Sequence, residues 1–114
     1  MKTDVVYLVH ILDAIEKIRL YTQNVDYIAF CENTMCQDAV LRQIEIIGEA
    51  TKQISHNLKN LYPQIPWKDI AGTRDIISHK YFGVDIDEVW MIITDDLSKL
   101  ESEIRKILNI LQSN

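Results

Sequence analysis

Residues that interrupt regular structure are scarce in this chain of 114 residues, which has three glycines and two prolines. This scarcity leaves too few turns for a many-stranded sandwich or barrel. No apolar run approaches the roughly 18 residues that a membrane-spanning helix needs, and the first residues lack a signal-peptide pattern. Cys31 and Cys36 are too few for a disulfide framework or an all-cysteine zinc site. We therefore expect a cytoplasmic protein with a single domain over residues 1–114.

Positive charge is also in short supply. Twelve Lys and Arg residues stand against 17 Asp and Glu residues, for a formal net charge of -5. An acidic chain has no general attraction for phosphate backbones, so any nucleic-acid binding needs a locally basic site. Hydrophobic residues make up 47% of the chain, which is enough for a packed core and excludes a disordered protein.

The apolar residues recur at steps of three and four, the spacing of one face of an α-helix. The pattern predicts a first helix that Asp4 caps and that runs to about Tyr21, and a break at Gln23-Asn24. A long second seam ends before Pro63, and a last helix runs to about Leu111. The second seam consists of Val40, Ile44, Ile47, Thr51, Ile54, Leu58 and Leu61. We predict an all-α fold, an antiparallel bundle of four to five helices.

Capping residues mark where these helices begin. Thr34-x-x-Gln37 has the spacing of a capping box, although Asn33 is an alternative cap. Pro66 is placed to start a helix at Trp67, and Asp85-x-x-Glu88 is a second capping box.

The chemically suggestive segment is 74–81, which reads Arg-Asp-Ile-Ile-Ser-His-Lys-Tyr. On a helix, Asp75 and His79 are four residues apart and can meet, so the carboxylate could orient the imidazole for proton transfer. Arg74 and Tyr81 are seven residues apart and lie about 20° out of line, on one face. From spacing alone, a surface salt-bridge cluster with Tyr81 as a packing residue is the alternative, in which Asp75 pairs with Arg74 or Lys80.

Arg74 and His79 lie about 140° apart around an ideal helix, which is awkward for a site on one helix. Either the arginine side chain curls round the helix, or two copies of the helix face each other in a homodimer. The homodimer is the preferred interpretation, because it also collects the cationic side chains of both copies in one cleft.

The segment resembles the R-x4-H-x-Y motif of the HepT-like toxins, in the HEPN superfamily of all-helical ribonucleases. Asp75 matches the polar residue that follows the arginine there. Residues 42–50 of the long helix, Pro66-Trp67 before the motif, and Val84-Asp85 and Val89-Trp90 after it resemble the family's flanking segments. The resemblance covers about residues 41–111 and is weaker in the first helix.

The resemblance implies a toxin that cleaves RNA, with tRNA as the expected substrate, and needs neither a metal ion nor a cofactor. It assigns proton transfer to His79 and phosphate binding to Arg74, with Asp75 in support. It also implies a partner, an MntA-like nucleotidyltransferase antitoxin that transfers AMP onto Tyr81 and with which the toxin could form a higher oligomer. AMP on Tyr81 would occupy the phosphate site on the Arg74 face by its bulk and charge.

A second interpretation uses the same residues without catalysis. The chain would be a helical binding partner of a nucleotidyltransferase, in which Arg74 and His79 hold a nucleotide or the enzyme itself. Glu45 and Glu49 have the spacing of a paired-carboxylate metal site, but a solvated acidic stripe or an ion pair with Arg42 is favoured.

Overall fold

The computed structural model describes residues 2–72 and 85–113. The helices over these residues are α1 (Lys2–Tyr21), α2 (Tyr27–Glu32), α3 (Thr34–Gln53), α4 (His56–Leu61), α5 (described over 67–72), α6 (Ile86–Met91) and α7 (Leu97–Gln112). A π-helical segment, Ile92–Asp96, joins α6 to α7. No strand occurs within 2–72 or 85–113, and the predicted all-α fold is confirmed.

The three long helices α1, α3 and α7 pack side by side, with α1 antiparallel to both of the others. The start of α1 lies beside the end of α3, where Asp4 binds Ser55. The end of α1 lies beside the start of α3, where the Cys36 thiol donates to the Tyr21 carbonyl at 3.6 Å. Arg19, near the end of α1, binds Ser98 near the start of α7. The core lies between these helices, and the large side chains fully buried in it include Leu8, Ile11, Ile15, Ile18, Phe30, Val40, Leu58, Ile104 and Ile107.

Asp4 does not cap α1 as predicted, because the helix already begins at Lys2. Its side chain is buried and instead accepts two hydrogen bonds from Ser55, from the backbone N–H at 2.8 Å and from Oγ at 2.7 Å. Ser55 in turn caps α4, since its Oγ accepts from the Leu58 N–H at 3.2 Å. One carboxylate thus fixes the start of α1 against the start of α4.

Replacing Asp4 with alanine should therefore lower the free energy of unfolding by about 2–4 kcal/mol, because two hydrogen bonds to a buried charged group are lost together. Urea denaturation of the two proteins measures the difference. Asp13→Ala is the matched control, an exposed carboxylate on the same helix, and should change stability by less than about 0.5 kcal/mol. Equal losses for the two variants would contradict the role given to Asp4.

The predicted break after α1 is confirmed. Asn24 has a left-handed backbone, with φ of 61°, a conformation that asparagine adopts more readily than most residues. Asn33, rather than Thr34, caps α3, and its side chain accepts from the Cys36 N–H at 3.0 Å. Gln37 donates from its side chain to the carbonyls of Phe30 and Cys31, so it ties α3 back to α2.

The predicted second seam is divided between two helices. Its members from Val40 to Leu58 are buried, as the spacing predicts, but α3 ends at Gln53 and Ser55 opens α4. Leu61 does not belong to the seam, because it is 62% exposed. The seam therefore runs over two helices, since the step at Ile54 and Ser55 preserves the apolar spacing while the backbone turns.

The last predicted helix begins at the expected cap, because the Asp85 carboxylate accepts from the N–H groups of Asp87 and Glu88. It is not continuous, however, because the π-helical segment Ile92–Asp96 interrupts it. In the described ranges, no helix combines the length and apolar character that crossing a membrane requires.

Glu101 of α7 joins two helices through arginines, accepting from Arg19 of α1 and from Arg105 one turn later on α7. Burial raises the pKa of this carboxyl, but the hydrogen bonds and charges of Arg19 and Arg105 together outweigh burial and hold its pKa below the usual value of 4.5. A carboxyl whose pKa is lower in the folded chain than in the unfolded chain stabilises the fold above its unfolded pKa. That contribution is lost as the pH falls below 4.5 and through the folded pKa.

Stability measured from pH 7 to pH 3 should therefore fall less steeply for Glu101→Gln than for the wild-type chain below about pH 4.5. Glu32→Gln, at an exposed position at the end of α2, serves as the control and should keep the wild-type slope. The same slope in Glu101→Gln as in the wild type would show that the ion pairs with Arg19 and Arg105 do not couple to folding.

Candidate functional site

The predicted site residues Arg74, Asp75, His79 and Tyr81 lie within 73–84, outside the described residues. The assignment of these four positions therefore stays a prediction. The structure describes the residues that precede position 73 and those that follow position 84.

Before position 73, the chain is anchored by Trp67 at the start of α5. Its side chain is 7% exposed, and its indole N–H donates to the Tyr62 carbonyl at 3.0 Å. Pro66 occupies the position predicted for it, and its carbonyl accepts from the Ile70 N–H at 3.0 Å, the first turn of α5. A buried, hydrogen-bonded indole therefore anchors the helix that leads toward the motif.

After position 84, the chain is anchored by Trp90 of α6. Its ring packs against Phe30 at 5.2 Å and against Tyr27 at 6.1 Å between centroids. The Tyr27 hydroxyl donates to the Asp87 carboxylate, on the same face of α6. This hydrogen bond, with a smaller contribution from Cys31, raises the pKa of Tyr27 well above its usual range. The contacts dock α6 onto α2, so the described residues before position 73 and those after position 84 are both attached to the bundle.

The described residues line a groove of about 880 Å³. Its apolar side chains come from α3, from α5 and the connection before it, and from the π-helical segment and α7. They are Ile44, Ile47, Ile65, Ile70, Ile92, Leu97 and Leu100. Its charged side chains are Asp69, Asp96, Glu103 and Lys99, so carboxylates outnumber amines three to one. Such a surface repels a phosphate backbone, and the cations for phosphate binding must come from elsewhere.

The π-helical segment Ile92–Asp96 contributes Ile92 and Asp96 to this groove. Isolated π turns within α-helices are frequent at functional sites. The apolar spacing of the sequence gives no sign of this segment, because Trp90 and Leu97 remain seven residues apart. Sequence reasoning missed it for that reason.

The described residues include the carboxylates and cysteines that the sequence offers as metal or thiol candidates. Arg42 pairs with Glu45 at 3.5 Å, as the favoured interpretation of that carboxylate predicted. Over 2–72 and 85–113, no cluster of three or more His, Cys, Asp or Glu side chains could hold a metal ion. Cys31 is exposed, whereas Cys36 is buried, and burial raises the pKa of its thiol. The thiolate that a reactive cysteine needs is thus disfavoured at Cys36.

Comparison with known proteins gives matches over nearly the whole chain. The family model described as "Ribonuclease HepT-like" matches residues 11–107. The chain is 38% identical to a protein of Methanocaldococcus jannaschii named "Putative RNase", over 86% of this chain and 90% of that protein. It is 40% identical to the "Probable ribonuclease HepT" of Thermococcus cleftensis, over 89% of this chain and 92% of that protein.

A further relative is longer than this chain. It is a Methanocaldococcus jannaschii protein named "Gamma-glutamylcyclotransferase and putative RNase", 45% identical over 100% of this chain. The chain spans only about half of that protein, 52% of its length. No solved structure matches the chain.

Proposed function

The chain belongs to the HepT-like ribonuclease family, and on that basis we propose that this HEPN-type ribonuclease is the toxin of a toxin–antitoxin pair and cleaves tRNA in the cytoplasm. The observation that carries the proposal is the family match over residues 11–107. That range contains Arg74 and His79 in the spacing R-x4-H, followed by Tyr81. The catalytic residues in this proposal are Arg74 and His79.

The proposed reaction is transesterification within the RNA strand. The ribose 2′-oxygen forms a bond to the adjacent phosphorus, and the bond to the 5′-oxygen of the next nucleotide breaks. The proton of the 2′-hydroxyl leaves and the departing 5′-oxygen gains one, so a histidine that titrates near neutral pH is suited to the transfer. The products are a 2′,3′-cyclic phosphate and a 5′-hydroxyl.

Arg74 stabilises the negative charge of the phosphate during this reaction. Negative charge accumulates on the phosphoryl oxygens in the transition state, and a guanidinium that donates two hydrogen bonds to them stabilises that charge. Residues 73–84 contain Arg74 and Lys80 against a single carboxylate, Asp75. The segment therefore carries local positive charge in an acidic chain, as binding to RNA requires.

Two copies of the chain are part of the proposal. On an ideal helix Arg74 and His79 diverge by about 140°, so facing helices in a homodimer would offer an arginine of one copy and a histidine of the other to one phosphate. A closed two-fold dimer would build this cleft twice from the same surface.

Regulation by a nucleotidyltransferase completes the proposal. The antitoxin transfers AMP from ATP to the Tyr81 phenol oxygen with release of pyrophosphate, and the phenol loses its proton. A nucleotide fixed there, seven residues from Arg74, would place a phosphate and a large base on the face that binds RNA.

The test is RNA cleavage by the chain purified without its partner. Incubation with total tRNA in excess chelator should give fragments that end in a 2′,3′-cyclic phosphate, detected by end-specific labelling after phosphatase treatment. If tRNA stays intact and the chain binds the nucleotidyltransferase when that enzyme is added separately, the non-catalytic binding partner would be favoured instead. Cleavage that stops in chelator would overturn the metal-independent mechanism.

A further inference from the structure

The short helices α2 and α6 lie side by side and run parallel. Tyr27 binds Asp87, and Phe30, one turn later on α2, packs on Trp90, one turn later on α6. Both contacts join residues that are 60 positions apart, as parallel helices require. Phe30 is fully buried, whereas Tyr27 is 43% exposed, so the contact between the helices extends from the core to the surface.

The outer side of this helix pair carries apolar side chains. Cys31 follows Tyr27 by four residues and Met91 follows Asp87 by four residues, so each stays on the same face of its helix, one turn further on. Ile28 lies three residues before Cys31 and is its neighbour on α2. Ile28 is 68% exposed and Met91 is 59% exposed, and the Cys31 side chain is exposed as well. Two large apolar side chains of adjacent helices therefore remain in contact with water.

The first turn of α3 adds a third large apolar side chain. Met35 is 81% exposed, and Gln37, two residues later, ties this turn to α2 by donating to the carbonyls of Phe30 and Cys31. Folded proteins rarely leave a cluster of large apolar side chains open, and such clusters mark places where another molecule binds. We call this cluster the α2–α6 surface, and it consists of Tyr27, Ile28, Cys31, Met35, Asp87 and Met91.

Negative charge surrounds the α2–α6 surface. Residues 20–41 contain three Asp and Glu residues and residues 85–98 contain five, and neither range contains a Lys or an Arg. Over 2–72 and 85–113, no ion pair joins Glu32, Asp38 or Asp87 to a basic side chain. Asp87 accepts from the neutral Tyr27 hydroxyl, which leaves its charge in place. The apolar side chains are thus bordered by carboxylates whose charge no described residue neutralises.

We propose that the α2–α6 surface binds an amphipathic helix of a protein partner, in which lysine or arginine flanks the apolar face. The apolar face of that helix covers Ile28, Met35 and Met91 and removes them from water. Its cations lie opposite Glu32 and Asp38, where the potentials are complementary. Methionine side chains are flexible and can adjust to the shape of the helix that they contact.

The same carboxylates exclude the other occupants of this surface. An RNA strand and an anionic lipid surface both carry negative charge and are repelled. A two-fold dimer formed through the α2–α6 surface would place this surface against itself, so the carboxylates of one copy would face those of the other. A basic partner removes this repulsion. The proposal goes beyond the ribonuclease function and does not depend on it.

The probe for this surface is a synthetic amphipathic peptide of about 14 residues, which forms roughly four helical turns. Leucines occupy its apolar face and lysines flank them, and a second peptide carries glutamate in place of each lysine. Binding to the full chain is measured by titration calorimetry, and NMR amide shifts locate it. The lysine peptide should bind at least about tenfold more tightly than the glutamate peptide, and its affinity should fall as salt is added. The shifts should fall on 27–35 and 87–91.

Variants separate the apolar contribution from the charge contribution. Ile28→Ser and Met91→Ser should each weaken binding of the lysine peptide by at least about fivefold, a loss typical of central interface residues. Ile110→Ser is the matched control, because Ile110 is 57% exposed but lies near the end of α7, at the opposite end of the bundle, and it should leave binding unchanged. The double variant Glu32→Gln with Asp38→Asn should weaken binding and reduce its dependence on salt. Thermal melting confirms that each variant is folded.

Three results would overturn the proposal. The first is equal binding of the lysine and glutamate peptides, and the second is binding that neither Ile28→Ser nor Met91→Ser weakens. The third comes from light scattering on the chain alone: self-association that Met91→Ser abolishes and Ile110→Ser preserves would make the α2–α6 surface a contact between copies of this chain.

Discussion

Replacing His79 with alanine is expected to slow RNA cleavage by about 10²- to 10⁴-fold, because a positioned histidine contributes that factor when it transfers protons in the transition state. Arg74→Ala should slow cleavage by about 10²- to 10³-fold through the loss of charge stabilisation at the phosphate. Both losses should appear mainly in kcat, since the transition state carries more charge than the bound substrate. Single-turnover assays on labelled tRNA measure them.

A described position provides a control for these variants, because His56 is an exposed histidine at the start of α4. His56→Ala should retain kcat within about twofold, while thermal melting shows that all three variants keep the fold. Full activity in His79→Ala would remove the proton-transfer role, whatever the RNA substrate.

Much of the fold could be predicted from the sequence, because apolar spacing and capping residues act locally. The caps at Asn33 and Asp85 require only a side chain within three residues of the N–H that it binds. The break at Asn24 depends on the backbone conformation of that residue alone. The division of the long seam was not predicted, because Ser55 is held as a cap by Asp4, 51 residues away. Long-range contacts of this kind produce no periodic pattern in the sequence.

The candidate site was predicted from the sequence in a different way than the fold was. The motif 74–81 is readable because its residue types and spacing resemble those of a family, and the family match over 11–107 supports that resemblance. A small surface pocket that Tyr7 of α1 and Glu45 of α3 help to line could not be predicted in the same way. Tyr7 and Glu45 are 38 residues apart, and only the antiparallel packing of α1 on α3 brings their faces together.

Acidic and basic side chains are unevenly distributed along the chain, and the net charge does not show this distribution. Between residues 85 and 103 the chain carries seven carboxylates and one basic side chain, Lys99. Residues 73–84 carry two cations and one carboxylate. In the proposed function, this distribution would repel an RNA strand from residues 85–103 and favour its approach to residues 73–84, so an acidic protein could still direct a phosphate to one place.

Replacing Tyr81 with phenylalanine is expected to abolish modification by the antitoxin, because transfer of AMP requires the phenol oxygen as the nucleophile. Intact-mass analysis after incubation with the nucleotidyltransferase and ATP should show an AMP-sized increment on the wild-type chain and none on the variant. Since Tyr81→Phe keeps Arg74 and His79, it should still cleave tRNA, and co-expression of the antitoxin should no longer protect the cell from it.

Tyr27→Phe is the control for this experiment. Tyr27 is 43% exposed, but its hydroxyl donates to Asp87 and its pKa is raised, so deprotonation for attack on ATP is disfavoured. The Tyr27 variant should therefore gain the same mass increment as the wild type. An increment that persists in Tyr81→Phe would place the modification on another residue, and protection that persists with no increment would mean that the antitoxin silences the ribonuclease by binding rather than by covalent modification.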